Sequence, residues 1–195
     1  MEKKTIIVFN GIHNSGKTLL ATKFVENDNR FKFFEEMGWL LRKQVTYDTL
    51  TYEESFDRKV MQMELERDRE LLASRYIPIV ETWHFGNLAY VMLRSPTLMN
   101  DYINQVNNRL QKFEPIVLLV KATIHTCQVR ETDLNFIAKA SEYKKFWQGI
   151  YRNLLLIYRR FNINYEVIDN NGTIEEALNS VKKAVYTRLA GLLGT

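Results

Sequence analysis

Eight residues near the start of the chain, Gly11-Ile12-His13-Asn14-Ser15-Gly16-Lys17-Thr18, follow the spacing G-x-x-x-x-G-K-[ST]. Their flanks are equally constraining. Thr5-Ile6-Ile7-Val8-Phe9 precedes them, a continuous β-branched and aromatic run that predicts a strand buried on both faces. Leu19, Leu20, Phe24 and Val25 follow at helical spacing. Strand, glycine-bounded turn and helix N-terminus thus come in the order that a row of phosphates requires. Gly11 and Gly16 permit positive φ, so the amides of Asn14, Ser15, Gly16, Lys17, Thr18 and Leu19 form the expected phosphate cradle. A helix beginning near Gly16 adds the positive end of its dipole. Lys17 is expected to reach β- and γ-phosphates, and the Thr18 hydroxyl to ligate Mg²⁺. The stretch predicts a nucleoside triphosphate site, with ATP and Mg²⁺ as the expected ligands.

The remaining composition narrows the setting. With 195 residues, 46% of them hydrophobic, the chain has enough material for one globular domain with a sizeable core. Apolar runs such as Ile116 to Val120 are far too short to span a bilayer, and no signal-peptide core is expected before the first strand. A single cysteine, Cys127, excludes an internal disulfide and suits a reducing cytoplasm, where a packing role is expected for it. The net charge of +4, from 27 basic and 23 acidic residues, is compatible with a nucleotide ligand and too small to argue for DNA or RNA. Apolar stripes on neighbouring helices suit either a core or a homodimer.

Further strands are predicted at 31–34, 77–80, 115–121 and 165–168, and helices at 36–45, 51–74, 85–93, 96–112, 125–130, 134–160 and from 174 onward. In the helix over 51–74, Phe56, Val60, Met63 and Leu71 mark the expected buried stripe. Arg58, Glu64, Glu66, Arg67 and Arg69 mark an expected solvated face. Alternating strands and helices predict an α/β fold of three layers around a five-stranded parallel sheet, in one domain over 1–195. Ligands of such folds gather at the carboxyl ends of the strands, which singles out Gly11 to Thr18, Glu35, Glu36 and Glu81.

Glu81 directly follows the third strand and is the expected second Mg²⁺ carboxylate beside Thr18. Glu36 ends the second strand, where a carboxylate can orient an acceptor hydroxyl or take its proton. Cationic stabilisation of a transferring group is sought in a lid within 130–145, from Arg130 or Lys139 before Lys144 or Lys145. Trp39, Trp83, Phe85 and Tyr90 are candidate pocket walls, and His13 and His84 lie near the expected site.

On these residues the sequence resembles the thymidylate kinase and deoxynucleoside kinase group of P-loop kinases. Ile7 to Thr18 is similar to the thymidylate kinase opening V-F-E-G-I-D-G-S-G-K-T, and Glu81 to Tyr90 keeps the spacing of D-R-Y-x-x-S-x-x-A-Y. Pro115 to Val120 followed by Arg130 resembles the fourth strand and lid entry, and Tyr165 to Asp169 with Ile174 to Ala177 the closing strand and helix. The resemblance implies a P-loop NTPase fold of nucleoside/nucleotide kinase type and ATP as phosphoryl donor. Three departures stand out: His13 replaces the loop Asp, Thr82 replaces the Arg of D-R-Y, and Glu35-Glu36-Met37-Gly38 replaces R-E-P-G. Two arginines of an acceptor-phosphate clamp are therefore missing, which favours a neutral hydroxyl. Glu36-Met37 stands about where deoxynucleoside kinases place a Glu-Pro pair with Glu as base. The expected activity is transfer of the γ-phosphoryl group of ATP to a nucleoside, nucleotide or similar small hydroxyl compound. Lys17, Glu36 and Arg130 are the expected catalytic residues. The alternative is a nucleotide-binding regulatory protein that changes partner affinity without kinase activity.

Overall fold

The computed structural model describes residues 3–44, 54–130 and 139–193. Five strands form one wholly parallel sheet: β1 (Lys4–Asn10), β2 (Phe31–Phe34), β3 (Ile77–Glu81), β4 (Phe113–Lys121) and β5 (Tyr165–Asp169). Their spatial order is β2-β3-β1-β4-β5, with β1 at the centre. Around them lie α1 (Lys17–Val25), α2 (Met37–Arg42), α3 (Glu54–Ala73), α4 (His84–Arg94), α5 (Met99–Leu110), α6 (Ile124–Val129), α7 (Ala140–Arg160) and α8 (Ile174–Leu193). The fold is a three-layer α/β sandwich.

Strand periodicity builds the layers. Ile6 and Val8 point to one face of β1, Ile7 and Phe9 to the other, and all four are fully buried. The first face carries Val80, Val117 and Leu119 and packs against Trp83, Phe85 and Leu88 of the β3–α4 region, Tyr102 and Val106 of α5, and Trp147, Leu154 and Tyr158 of α7. The second carries Ile79, Ile116, Leu118, Val120 and Ile168 under Leu20 and Phe24 of α1 and Val181 and Val185 of α8. Continuous apolar strands are what a sheet covered on both sides needs. Among the described residues no helix is long and apolar enough to cross a membrane.

Several predicted boundaries shift for local reasons. β4 begins at Phe113, paired with Lys4, and carries Pro115 inside it. There it has a strand neighbour on one side only, because β5 joins at Val117, so the missing amide of Pro115 breaks no β4–β5 pairing. The helix predicted over 96–112 opens instead as a 3₁₀ turn, Pro96–Leu98, before α5. The helix predicted over 36–45 has Glu36 as its N-cap and runs from Met37 to Arg42; Val45 lies outside the described residues. Cys127 is buried within α6, as its expected packing role requires.

The solvated face assigned to α3 needs correction. Arg58, Glu66 and Arg69 are exposed, but Glu64 and Arg67 are buried, as are Asp57 and Asp68 on the same helix. They are inside because other charged and polar groups meet them there, as the site below makes clear.

This layering sets which side chains can be lost. Replacing Leu118, wholly buried in β4, by Ala is expected to cost about 2–5 kcal/mol in urea denaturation. Val167→Ala, on the exposed edge strand β5, is expected to cost about 0.5 kcal/mol or less. Equal losses at the two positions would contradict the assignment of core and edge.

Candidate active site

The turn between β1 and α1 takes the conformation its glycines allow. Gly16, the N-cap of α1, has φ 94° and ψ 16°, Gly11 has φ 154°, and Asn14 joins them at φ 56°. Space as well as torsion demands glycine: a Cβ on Gly11 would meet the Val120 carbonyl and the Ser15 hydroxyl, and one on Gly16 would meet the Asn170 amide. No acidic side chain occupies the first turn of α1, so its free amides and dipole face the cleft unopposed.

The loop is anchored from the far side of the sheet. Asn170, just past β5, donates its side-chain amide to the Ser15 carbonyl at 2.7 Å. Arg130, at the end of α6, donates to the Asn170 carbonyl at 2.9 Å and to the Ser15 carbonyl at 3.5 Å. Asn14 donates to the Cys127 carbonyl at 3.5 Å. Asn170 had no signal in the sequence beyond its place in a turn-forming run.

Parallel pairing of β1 with β3 brings the first carboxylate to the loop. Phe9 stands in register with Glu81, two residues before Gly11. The Thr18 hydroxyl sits 2.9 and 2.8 Å from the two Glu81 carboxylate oxygens, and Lys17 Nζ lies 3.8 Å from the nearer one. Lys17 also donates to the Ile12 carbonyl at 3.1 Å. Glu81 is 6% exposed; burial pushes its carboxyl above the usual range, with Glu36 adding to the rise and Lys17, the Thr18 hydroxyl and Arg67 opposing it.

The second carboxylate comes from the next strand over. Glu36 follows β2, which pairs with β3, and its carboxylate accepts from the Thr82 hydroxyl at 3.3 Å. Arg42, one helical turn and a half further along α2, lies 3.5 Å from Glu36 Oε1 and 5.5 Å from the centre of the Trp39 ring. Lys43 pairs with Glu35 at 3.6 Å and also approaches the Trp39 ring. His13, Lys17, Thr18, Glu36, Trp39, Arg42, Glu81 and Arg130 all border one open cleft of about 390 Å³.

Beneath this floor lies a buried polar cluster. Arg67 binds both Glu64 carboxylate oxygens at 2.7 and 2.6 Å, and Asn87 donates to Glu64 at 2.8 Å. His84 meets Asp68 at 2.8 Å and Tyr102 at 3.3 Å, and Trp83 donates to Asp68 at 3.0 Å. Burial raises the Glu64 carboxyl, and the Arg67 guanidinium opposes that rise. The Arg67–Glu64 and His84–Asp68 pairings are what make charged groups tolerable at this depth.

Of the residues singled out in the sequence, the structure thus brings Gly11 to Leu19, Glu35, Glu36, Trp39, Glu81, His13 and Arg130 to one region. His84, Trp83 and Phe85 are fully buried and belong to the core, not to a pocket wall. Tyr90 borders a narrow recess behind Glu36 with Arg42 and Asn87, and burial pushes its phenol up to about 12. Lys139, Lys144 and Lys145 are exposed at the start of α7 and are not among the residues bordering the cleft. The rest of the expected lid, 131–138, lies outside the described residues. Arg42 was missed, because a basic residue in the last turn of a short helix reads as a dipole partner and nothing more.

A phosphate loop at the end of the central strand, with the sheet order seen here, defines the P-loop kinase fold. No family model matches the sequence, and no curated protein matches it at sequence level. Solved structures match it by fold. The NadR protein in complex with NR is similar with a TM-score of 0.70 and 14% identity, over 93% of this chain and 50% of that one. Thymidylate kinase from Candida albicans is similar with a TM-score of 0.68 and 14% identity, over 95% and 92%. Deoxyadenosine kinase from M. mycoides with bound dATP is similar with a TM-score of 0.64 and 14% identity, over 92% and 98%. The chain spans 92–98% of the length of these two kinases and half the length of the NadR protein.

The crowding at Gly16 gives a direct test of the loop. Gly16→Ala forces a side chain into a left-handed conformation and against Asn170, and is expected to weaken binding of a non-hydrolysable ATP analogue by about tenfold or more in calorimetry. Unchanged affinity would contradict a role for this turn in holding phosphates.

Proposed function

We propose that the chain is an ATP- and Mg²⁺-dependent phosphotransferase that moves the γ-phosphoryl group of ATP to a hydroxyl of a nucleoside, nucleotide or similar small acceptor. The observation that carries this reading is the meeting of Lys17, Thr18, Glu81 and Glu36 on one cleft. Similarity of fold to thymidylate and deoxyadenosine kinases supports the same reaction class.

In this reading the amides of Gly11 to Thr18 and the N-terminus of α1 bind the donor phosphates, and Lys17 neutralises charge on the β- and γ-phosphates. Thr18 and Glu81 offer hard oxygen atoms within one hydrogen bond of each other, a donor set that fits Mg²⁺. When bound there, the ion supplies neutralisation of the charge shared by the β- and γ-phosphates. Glu36 accepts a hydrogen bond from the acceptor hydroxyl and receives its proton as the new oxygen–phosphorus bond forms and the bond to the ADP oxygen breaks. Arg130 borders the same cleft, and the guanidinium hydrogens not engaged by the Ser15 and Asn170 carbonyls steady the charge that develops on the transferred group. The missing arginines of the sequence pattern support an acceptor without a phosphate of its own, while Arg42, paired with Glu36 on the same cleft, is the cation that an acceptor phosphate would meet.

Two measurements test the proposal. In a coupled assay with a panel of nucleosides and nucleoside monophosphates, at least one acceptor is expected to accelerate ATP consumption. Lys17→Ala is expected to abolish that acceleration, and Glu36→Gln to lower it by about 100-fold. Tight ATP binding with slow hydrolysis that no acceptor changes would replace this reading with that of a nucleotide-dependent regulatory protein. In calorimetry, chelating Mg²⁺ is expected to weaken ATP-analogue binding to the native chain and to leave the already weakened Thr18→Ala and Glu81→Gln variants unaffected. Equal sensitivity of all three proteins would remove Thr18 and Glu81 from the metal site.

A further inference from the structure

The β2–β3 ladder ends at the Phe34–Val80 pair, one residue before Glu81 and two before Glu36. Past that point, the two proposed functional carboxylates stand on separate turns. A side chain from a third element connects those turns. Arg67 of α3 is 3% exposed and donates through Nη1 to the Glu35 carbonyl at 2.5 Å. Its Nη2 points at the Thr82 carbonyl at 3.5 Å and is fixed by Glu64, which is itself held by Asn87. One planar guanidinium thus touches the residue before Glu36 and the residue after Glu81.

Thr82 makes the connection tighter. Its φ of 47° is strained for a β-branched residue, and it persists under three restraints: its amide donates to the Phe9 carbonyl at 3.0 Å, its hydroxyl to Glu36 at 3.3 Å, and its carbonyl faces Arg67. A turn of this kind at a strand end aims whatever precedes and follows it. Here it is preceded by Glu81 and bonded to Glu36.

We propose that Arg67 is a positioning residue that holds the Glu35-Glu36 turn in register with the Glu81-Thr82 turn, and so fixes the separation between the acceptor-orienting and metal-side carboxylates. The inference rests on the roles proposed above for Glu36 and Glu81. Arg67 is not among the residues bordering the cleft, and both its Nη atoms are directed at the protein's own atoms. It therefore acts on alignment of the acceptor with the donor, not on binding of the donor. Misalignment by a fraction of an ångström to one ångström is enough to slow transfer by about 100-fold.

The test uses the full chain with Arg67→Lys, Arg67→Met and the double variant Glu64→Gln/Arg67→Met. The last avoids leaving a buried carboxylate without its cation, the change most prone to prevent folding. With whichever nucleoside of the panel proves active, Arg67→Met and the double variant are expected to lose kcat by about 100-fold. The KM for ATP is expected to stay at the native value, and Arg67→Lys to recover part of the loss. Amide hydrogen exchange is expected to quicken at 35–38 and 82–84 and to stay native along β1. Parallel loss of ATP affinity and thermal stability with uniformly faster exchange would make Arg67 a general structural residue and overturn the proposal, as would native kcat in the double variant. If the native chain phosphorylates no acceptor, the phosphotransferase reading fails by itself, and the exchange pattern still decides whether Arg67 couples the two turns.

Discussion

The contact between Thr18 and Glu81 is where sheet topology becomes chemistry. A hydroxyl at the start of α1 and a carboxylate at the end of β3 lie 63 residues apart in the chain, and only the parallel register of β1 against β3 brings them together. That carboxylate is nearly out of contact with water, which by itself favours its neutral form. Lys17, the Thr18 hydroxyl and Arg67 each oppose that tendency, two cations and one hydrogen-bond donor set against burial.

The same logic extends outward in shells. Glu36 borrows its place from Thr82, and Thr82 borrows its strained backbone from Phe9, Glu36 and Arg67. On the donor side Asn170 and Arg130 hold the Ser15 carbonyl, so the turn from Gly11 to Thr18 is gripped from β5 and α6 as well as by its own glycines. The five-stranded order places every one of these groups at the carboxyl ends of the strands, as open parallel sheets do. At 14% identity, the resemblance to solved kinases is one of fold.

Much of this was legible in the residues themselves. The phosphate loop announced itself by spacing, and β1, β3 and β4 by unbroken apolar runs, since a strand covered on both faces has no polar alternation to hide it. Glu81 and Glu36 followed from their place after strands. What escaped was everything decided by distant partners. Glu64 and Arg67 read as part of a solvated helix face because periodicity sees charge and not its complement; they meet each other and, beyond that, Asn87 of α4 and Thr82 just past β3. His84 read as a site residue from its proximity in sequence to Glu81, yet α4 begins at that residue and turns its ring inward toward Asp68 and Tyr102. Arg42 reached the cleft because α2 is short and follows Glu36 at once.

The most direct test of the account is a crystal structure of the chain grown with a non-hydrolysable ATP analogue and Mg²⁺. The account predicts the triphosphate over the amides of Gly11 to Thr18, with Lys17 on its terminal phosphates and the metal between the Thr18 hydroxyl and Glu81. Density for the triphosphate elsewhere, or a nucleotide bound with Thr18 and Glu81 still hydrogen-bonded to each other and no metal beside them, would contradict it.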